Sequence, residues 1–201
     1  MTMHFQGRDI RTHLINFCDS PIFDTQRRFI YMAINKVCQQ SIARGLLKHR
    51  VIVKKDSLSI HEMTLASISD LELETIFKFG IVRNPYDRFV SAFSYLQRIK
   101  EIDKHMDFNQ FVRRGNFSNP HFNPQHHNVM IRGTLFVDYL ARFDSINADW
   151  KKIADIIKAA PILPLLNKTA HKPYQELYNK ESQAIIADYY RDDFRLLGYT
   201  P

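Results

Sequence analysis

Two arginines and a serine near the middle of the chain have the types and spacing of an anion-binding site. Arg83 stands at the end of the apolar run 77–82, where open α/β sheets hold their ligands. Arg88 and Ser91 follow on the next predicted helix and share one face with Tyr95. A guanidinium fork, a hydroxyl and free N–H groups at a helix start together suit a phosphate. The alternative is an ordinary strand–helix junction with surface arginines.

A buried strand and a capped helix must position these side chains. The strand is predicted over 77–82 and the helix over 85–98. Asn84 is a good helix N-cap, and Pro85 suits the first turn because the N–H that it lacks would be unpaired there. Apolar side chains then recur at helical spacing and are predicted to face the core: Phe89, Phe93 and Leu96.

A second strand, polar turn and helix is predicted upstream. The strand covers 29–34 and the helix 39–48, with Lys36 in the turn between them. Such a turn can aim backbone N–H groups and a lysine at a phosphate or sulfate. The alternative for this segment alone is an exposed helix N-terminus without a ligand.

Together the two motifs resemble the sulfotransferases that use 3′-phosphoadenosine 5′-phosphosulfate (PAPS), especially the carbohydrate, or family 2, branch. In that family a lysine turn holds the 5′-phosphosulfate, and the resemblance assigns this role to Lys36 and Ser41. An Arg-Asn-Pro strand end and a serine on the next helix hold the 3′-phosphate, which implies Arg83 and Ser91. The segment 189–199 is similar to the family's closing helix and Gly-Tyr end, so the resemblance spans most of the chain.

The lysine turn departs from the family pattern. Asn35 stands where the family has proline, no glycine follows Lys36, and Gln40 replaces the usual hydroxyl residue. A loop without glycine approaches a cofactor less closely. Either the amides of Gln39 and Gln40 therefore contribute to cofactor binding, or the affinity is weaker.

Sulfuryl transfer needs positive charge at the leaving phosphate and a base for the acceptor proton. Lys36 is predicted to supply the charge, by analogy with the lysine of phosphoryl-transfer sites. His61 is the predicted base, because several related enzymes place a His or Glu in the region upstream of the Arg-x-Pro strand. Glu62 is the adjacent alternative, and a histidine without a catalytic role is the other. No metal is required in this scheme.

A histidine-rich segment over 119–128 is the second candidate part of the site. Three histidines invite a metal interpretation, but no cysteine lies nearby and two prolines fix an irregular loop. Related carbohydrate sulfotransferases carry a His-aromatic-x-Pro-Gln segment near the acceptor, which makes His121 and Gln125 the predicted acceptor-side residues. A solvent-exposed polar loop is the alternative.

Strand and helix patterns alternate along the chain, which is typical of an α/β fold. The strands are predicted at 29–34, 51–54 and 77–82, with a last one near 135–137 or 140–143. The helices are predicted at 39–48, 85–98, 148–159 and 181–195. We expect a P-loop-like three-layer domain with a central parallel sheet flanked by helices. No linker divides the 201 residues, so a single sulfotransferase domain over 1–201 is expected.

A net charge of +7 and an isoelectric point of about 9.4 suit a polyanionic cofactor. They also suit RNA, so the alternative is a nucleotide- or RNA-binding protein with the same fold but no sulfuryl transfer. A nucleoside triphosphate kinase ranks third, because no Gly-x-x-x-x-Gly-Lys loop is present. The leading interpretation expects a carbohydrate or small-molecule acceptor and no nucleic acid partner.

Composition also bears on location. No apolar run approaches the ~20 residues of a membrane helix, and the first thirty residues lack a signal-peptide core. Cys18 and Cys38 are the only cysteines, too few for a disulfide scaffold. We therefore expect a soluble enzyme of the reducing cytoplasm, without a membrane span.

Overall fold

A mixed sheet forms the centre of the fold. The computed structural model describes residues 5–18, 20–24, 29–46, 65–163 and 173–201. Within them, four strands lie side by side in the order β1-β2-β3-β6: β1 (Ser20–Phe23), β2 (Phe29–Ala33), β3 (Phe77–Val82) and β6 (Tyr139–Arg142). The last three run parallel, whereas β1 is antiparallel to β2. The expected α/β class with a mostly parallel sheet is confirmed, and the antiparallel strand is an addition that the sequence analysis missed.

Helices flank this sheet. They are α1 (Gly7–Phe17), α2 (Gln39–Gly45), α3 (Asp70–Thr75), α4 (Pro85–Arg98), α5 (Phe108–Arg114), α6 (Ile146–Ile157), α7 (Lys180–Tyr189) and α8 (Arg191–Leu197). A small antiparallel hairpin is formed by β4 (Met130–Ile131) and β5 (Thr134–Leu135). No helix in the described part of the chain is long and apolar enough to span a bilayer.

Two hydrophobic clusters hold these elements together. Strands β2 and β3 are buried almost throughout, as parallel strands covered on both faces must be, and they pack with α1 and α6 in the first cluster. The second cluster is mainly aromatic and surrounds Phe89 of α4, whose ring contacts those of Phe108, Phe117 and Phe122. Helix α4 is thus fixed on one side, which determines the face that it turns toward the sheet edge.

Most predicted elements that the structure describes are present, with one break. The strands predicted at 29–34 and 77–82 and the helix at 85–98 are β2, β3 and α4. The helix predicted over 181–195 is divided between α7 and α8 at Tyr190. At this break between α7 and α8, the hydroxyl of Tyr190 donates a buried hydrogen bond to the Phe122 carbonyl over 2.6 Å. The strand predicted at 51–54 lies outside the described residues.

Candidate active site

The two predicted phosphate-binding motifs meet at one edge of the sheet. Because β2, β3 and β6 are parallel, their carboxyl ends lie at the same edge. There Arg83 Nη1 donates to the Lys36 carbonyl over 3.2 Å, and the guanidinium lies 4.4 Å from the ring centroid of Phe143, just past β6. Residues from all three strand ends therefore surround one small region.

Arg83 is buried and held from two sides. Its Nε donates to the Asp87 carboxylate over 2.6 Å, one helical turn further along. Its backbone N–H donates to Gln125 Oε1 over 2.9 Å, and its carbonyl accepts from Gln125 Nε2 over 2.8 Å. The position of the guanidinium thus depends on an amide 42 residues away.

Helix α4 begins as the sequence predicts. The side chain of Asn84 accepts hydrogen bonds from the backbone N–H groups of Tyr86 and Asp87, and Pro85 occupies the first turn. Ser91 is buried on this helix. Arg88 is also buried and donates to the carbonyls of His121 and Asn123 over 3.2 and 2.6 Å. Arg88 therefore anchors the histidine-rich segment to α4.

The lysine turn reaches a sharp conformation without glycine. Lys36 and Cys38 both have positive φ, at 66° and 39°, a region that costs an L-residue about 1–2 kcal/mol. The turn leads into α2, where Ser41 is buried and Gln40 is exposed. Burial raises the pKa of the Cys38 thiol to about 12, which keeps it protonated and poorly nucleophilic near neutral pH.

Lys36 is a partly desolvated cation. Its Nζ lies 3.9 Å from the ring centroid of Tyr95 on α4. Burial, with a smaller contribution from the Arg98 and Arg83 charges, lowers the pKa of the Lys36 ammonium to about 8. An anionic ligand beside Lys36 would offset both effects, because a nearby opposite charge favours the protonated ammonium.

Tyr95 connects the lysine to one of the predicted acceptor-side residues. The edge of its ring contacts the His121 ring at 4.9 Å between centroids, so Lys36 and His121 both touch Tyr95. Gln125, the other predicted acceptor-side residue, is fully buried against the Arg83 backbone. His61 and Glu62, the two candidate bases, lie outside the described residues.

A buried carboxylate, absent from the sequence analysis, completes the support of Arg83. Asp193 of α8 has no solvent exposure and accepts from the backbone N–H groups of Gln125 and His126 over 2.8 and 2.9 Å. It also accepts from His126 Nδ1 over 2.7 Å. An acidic residue on the apolar side of the last helix, next to Phe194, was the signal that could have indicated it.

The three histidines of 119–128 each contact a different residue. His121 contacts Tyr95, His126 binds Asp193, and His127 packs its ring against that of His126. Among the residues that the structure describes, no group of three or more His, Cys, Asp or Glu side chains is placed to hold a metal ion.

Fold and site define an α/β protein with a lysine and an arginine next to each other at the carboxyl edge of its sheet, an arrangement that suits an anion. The model of the sulfotransferase family matches residues 20–200. The chain therefore belongs to the sulfotransferase family, of the family 2 type, which confirms the resemblance seen in the sequence and makes the protein a sulfuryl-transferring enzyme. Comparisons with curated proteins and with solved structures give no significant match.

Proposed function

We propose that this enzyme moves the sulfuryl group from PAPS to a hydroxyl of a carbohydrate or small-metabolite acceptor, within one domain over 1–201. The hydrogen bond from Arg83 to the Lys36 carbonyl carries the proposal, because it joins the two motifs that the family uses for the two ends of the donor. PAPS supplies the activated sulfuryl group, and adenosine 3′,5′-bisphosphate is the product.

The proposed roles follow the two halves of the site. Arg83 and Ser91 bind the 3′-phosphate at the start of α4. The turn around Lys36 acts as a phosphate-binding loop, in the manner of a P-loop-like domain, and Gln40 and Ser41 hold the 5′ side. Lys36 stabilises the negative charge that grows on the leaving phosphate, a contribution that depends on a fixed cation in a partly desolvated site.

The acceptor is proposed to bind beside His121. Lys36 and His121 contact the same Tyr95 ring, so an acceptor held by His121 lies next to the region where Lys36 meets the donor. The acceptor oxygen forms a bond to sulfur, the bond from sulfur to the phosphate oxygen breaks, and the acceptor proton goes to a base. His61 remains the proposed base and Glu62 its alternative. Gln125 is proposed to contribute to the acceptor side by holding the histidine-rich segment 119–128 against the Arg83 backbone.

A reducing compartment suits the thiol in the lysine turn. Cys18 and Cys38 do not form a disulfide with each other, and oxidation of Cys38 would place a bulky polar group beside Lys36. We therefore propose the cytoplasm as the location.

Calorimetry with adenosine 3′,5′-bisphosphate, AMP and ATP tests the proposed donor site. We expect the bisphosphate to bind more tightly than AMP. Replacing Arg83 with Ala should weaken bisphosphate binding by roughly 30-fold or more, because truncating a buried charged partner costs about 2–5 kcal/mol, while AMP binding changes little. The matched control is Arg195→Ala, an exposed arginine paired with Asp192.

Equal binding of AMP and the bisphosphate would count against a 3′-phosphate site. Salt-sensitive binding to RNA, without preference for the bisphosphate, would instead favour a nucleic-acid-binding protein that retains the fold.

A further inference from the structure

One cavity is lined by residues other than the lysine and arginine of the candidate active site. It has a volume of about 510 Å³, is open to solvent, and is bordered by α1, the turn at 126–128 and the β4–β5 hairpin. This volume falls within the range of small-molecule sites, roughly 300–1,000 Å³. Its lining includes none of Lys36, Arg83, Tyr95 and His121.

Flat rings form one wall of this cavity. The His13 ring stacks on Phe17 with centroids 5.1 Å apart and an interplanar angle of 28°, and the His127 ring lies 6.4 Å from Phe17. Phe17 is 55% exposed, so part of its side chain is accessible to a ligand. Met130 and Ile131, both buried, add aliphatic surface to the lining. The wall therefore suits a flat apolar group.

The charged residues of the cavity are mainly basic. Arg8 and Arg132 carry permanent positive charge, and Asp9 is the one carboxylate among the described residues of the lining. Asp9 lies 3.9 Å from Arg132, whose side chain is 84% exposed. Burial lowers the pKa of His13, whose Nε2 donates to the His127 carbonyl over 2.7 Å. His126 faces Asp193. Counting Arg8, Arg132 and Asp9 alone, the described lining has one excess positive charge.

We propose that this cavity is a binding site for a small organic anion with a flat apolar body, such as an aromatic carboxylate. The ring packs against Phe17 and the neighbouring histidines, and the carboxylate faces Arg8 and Arg132. The site does not depend on the proposed sulfuryl transfer, because its residues are separate from those assigned to the donor and the acceptor.

Three probes of nearly equal shape separate the contributions of ring and charge. Calorimetry on the full chain compares 2-naphthoate, 2-naphthylmethanol and 2-naphthylmethylamine, which are anionic, neutral and cationic near pH 7. We expect 2-naphthoate to bind most tightly and the amine most weakly. Equal affinity for all three, or a preference for the amine, would overturn the proposal.

Variants of exposed residues locate the binding. Arg132→Gln should weaken 2-naphthoate binding about two- to fivefold, the upper part of the range of an exposed ion pair, and leave 2-naphthylmethanol binding unchanged. Thr12→Trp places a bulky side chain in the cavity from the exposed face of α1 and should weaken both probes at least tenfold. Arg113→Gln, at an exposed arginine paired with Glu181, is the control. If neither Arg132→Gln nor Thr12→Trp changed the affinity for 2-naphthoate, the probe would bind elsewhere and the assignment would be overturned.

A competition experiment distinguishes this site from the active site. Saturating adenosine 3′,5′-bisphosphate should leave the affinity for 2-naphthoate unchanged. Competitive displacement of 2-naphthoate by the bisphosphate would refute a separate site. A chain that binds the bisphosphate but no naphthalene probe overturns this inference alone. One that binds 2-naphthoate but shows no bisphosphate selectivity overturns only the proposed donor site.

Discussion

The two halves of the proposed phosphate-binding region are fixed by different means. The segment from Arg83 to Ser91 is held by side chains, since Asn84 caps α4 and Gln125 binds the backbone of Arg83. The turn at 35–38 instead depends on positive φ angles at Lys36 and Cys38. A site held by side-chain contacts can be recognised in the sequence as a motif. A site held by backbone conformation can lose the residues that are usual for the motif and still adopt the same structure.

Lys36→Met tests the proposed catalytic role of the turn at 35–38 and should have the largest effect. Turnover, followed as bisphosphate released from PAPS with a panel of sugar acceptors, should fall about 10²–10³-fold, as for other charge-stabilising groups. Affinity for the bisphosphate, which lacks the sulfuryl group, should change much less in calorimetry. If turnover and affinity fell equally, Lys36 would serve only in binding.

Gln125→Leu tests the half that side chains hold. It removes both hydrogen bonds to the Arg83 backbone and leaves buried polar groups unpaired, each costing about 1–3 kcal/mol. Urea unfolding should show the loss of stability, and bisphosphate affinity should fall with it. Gln183→Leu, at an exposed helical glutamine, should stay within about 0.5 kcal/mol. Equal stability of the two variants would show that Arg83 is positioned without Gln125.

The pH dependence of stability tests the desolvated state of Lys36. The pKa of Lys36 is about 8 in the folded chain, against an ordinary value of 10.5. Between these values the unfolded chain binds more protons, so the contribution of Lys36 to the free energy of unfolding rises with pH. The urea midpoint of the wild type should therefore increase relative to that of Lys36→Gln as the pH rises from 7.5 to about 10. A constant difference would mean that Lys36 is fully hydrated.

Cys38→Gly tests the backbone of the turn and should have the smallest effect. Glycine relieves the left-handed strain but adds about 0.5–1 kcal/mol of chain entropy and removes the packing of the thiol. We expect a net change below about 1 kcal/mol in thermal or urea unfolding. Ser94→Gly, inside α4, should cost roughly 0.5 kcal/mol from helix propensity alone. A loss well beyond 1 kcal/mol at Cys38 would mean that the thiol, not the backbone, holds the turn.

Strong local signals made one part of the fold predictable. The apolar run before Arg83, the Asn84 cap and the apolar spacing after it predict β3 and α4 at the observed bounds. The local pattern did not predict the break at Tyr190, where the tyrosine hydroxyl donates to the carbonyl of Phe122, 68 residues away. The antiparallel β1 also depends on pairing with β2 rather than on its own pattern.

The sequence predicted that Lys36 and Arg83 lie close together, but it did not predict the residues that support them. Lys36 and Arg83 follow from motif spacing, and their meeting follows from the parallel strands. Asp193 acts through Gln125 and His126, 68 and 67 residues away, a relation that no local pattern records. The missing glycine suggested a loop that stays farther from its ligand, yet the turn adopts the left-handed conformation that glycine usually supplies.

The ion pair between Arg83 and Asp87 has a consequence for ligand choice. Arg83 already holds a carboxylate at 2.6 Å, so an incoming anion must compete with one that the protein carries. A singly charged phosphodiester offers Arg83 little more than Asp87 does, whereas a terminal phosphate carries nearly twice the charge. Under the proposed function, Asp87 acts as an internal competitor that excludes nucleic acid backbones and admits a terminal 3′-phosphate.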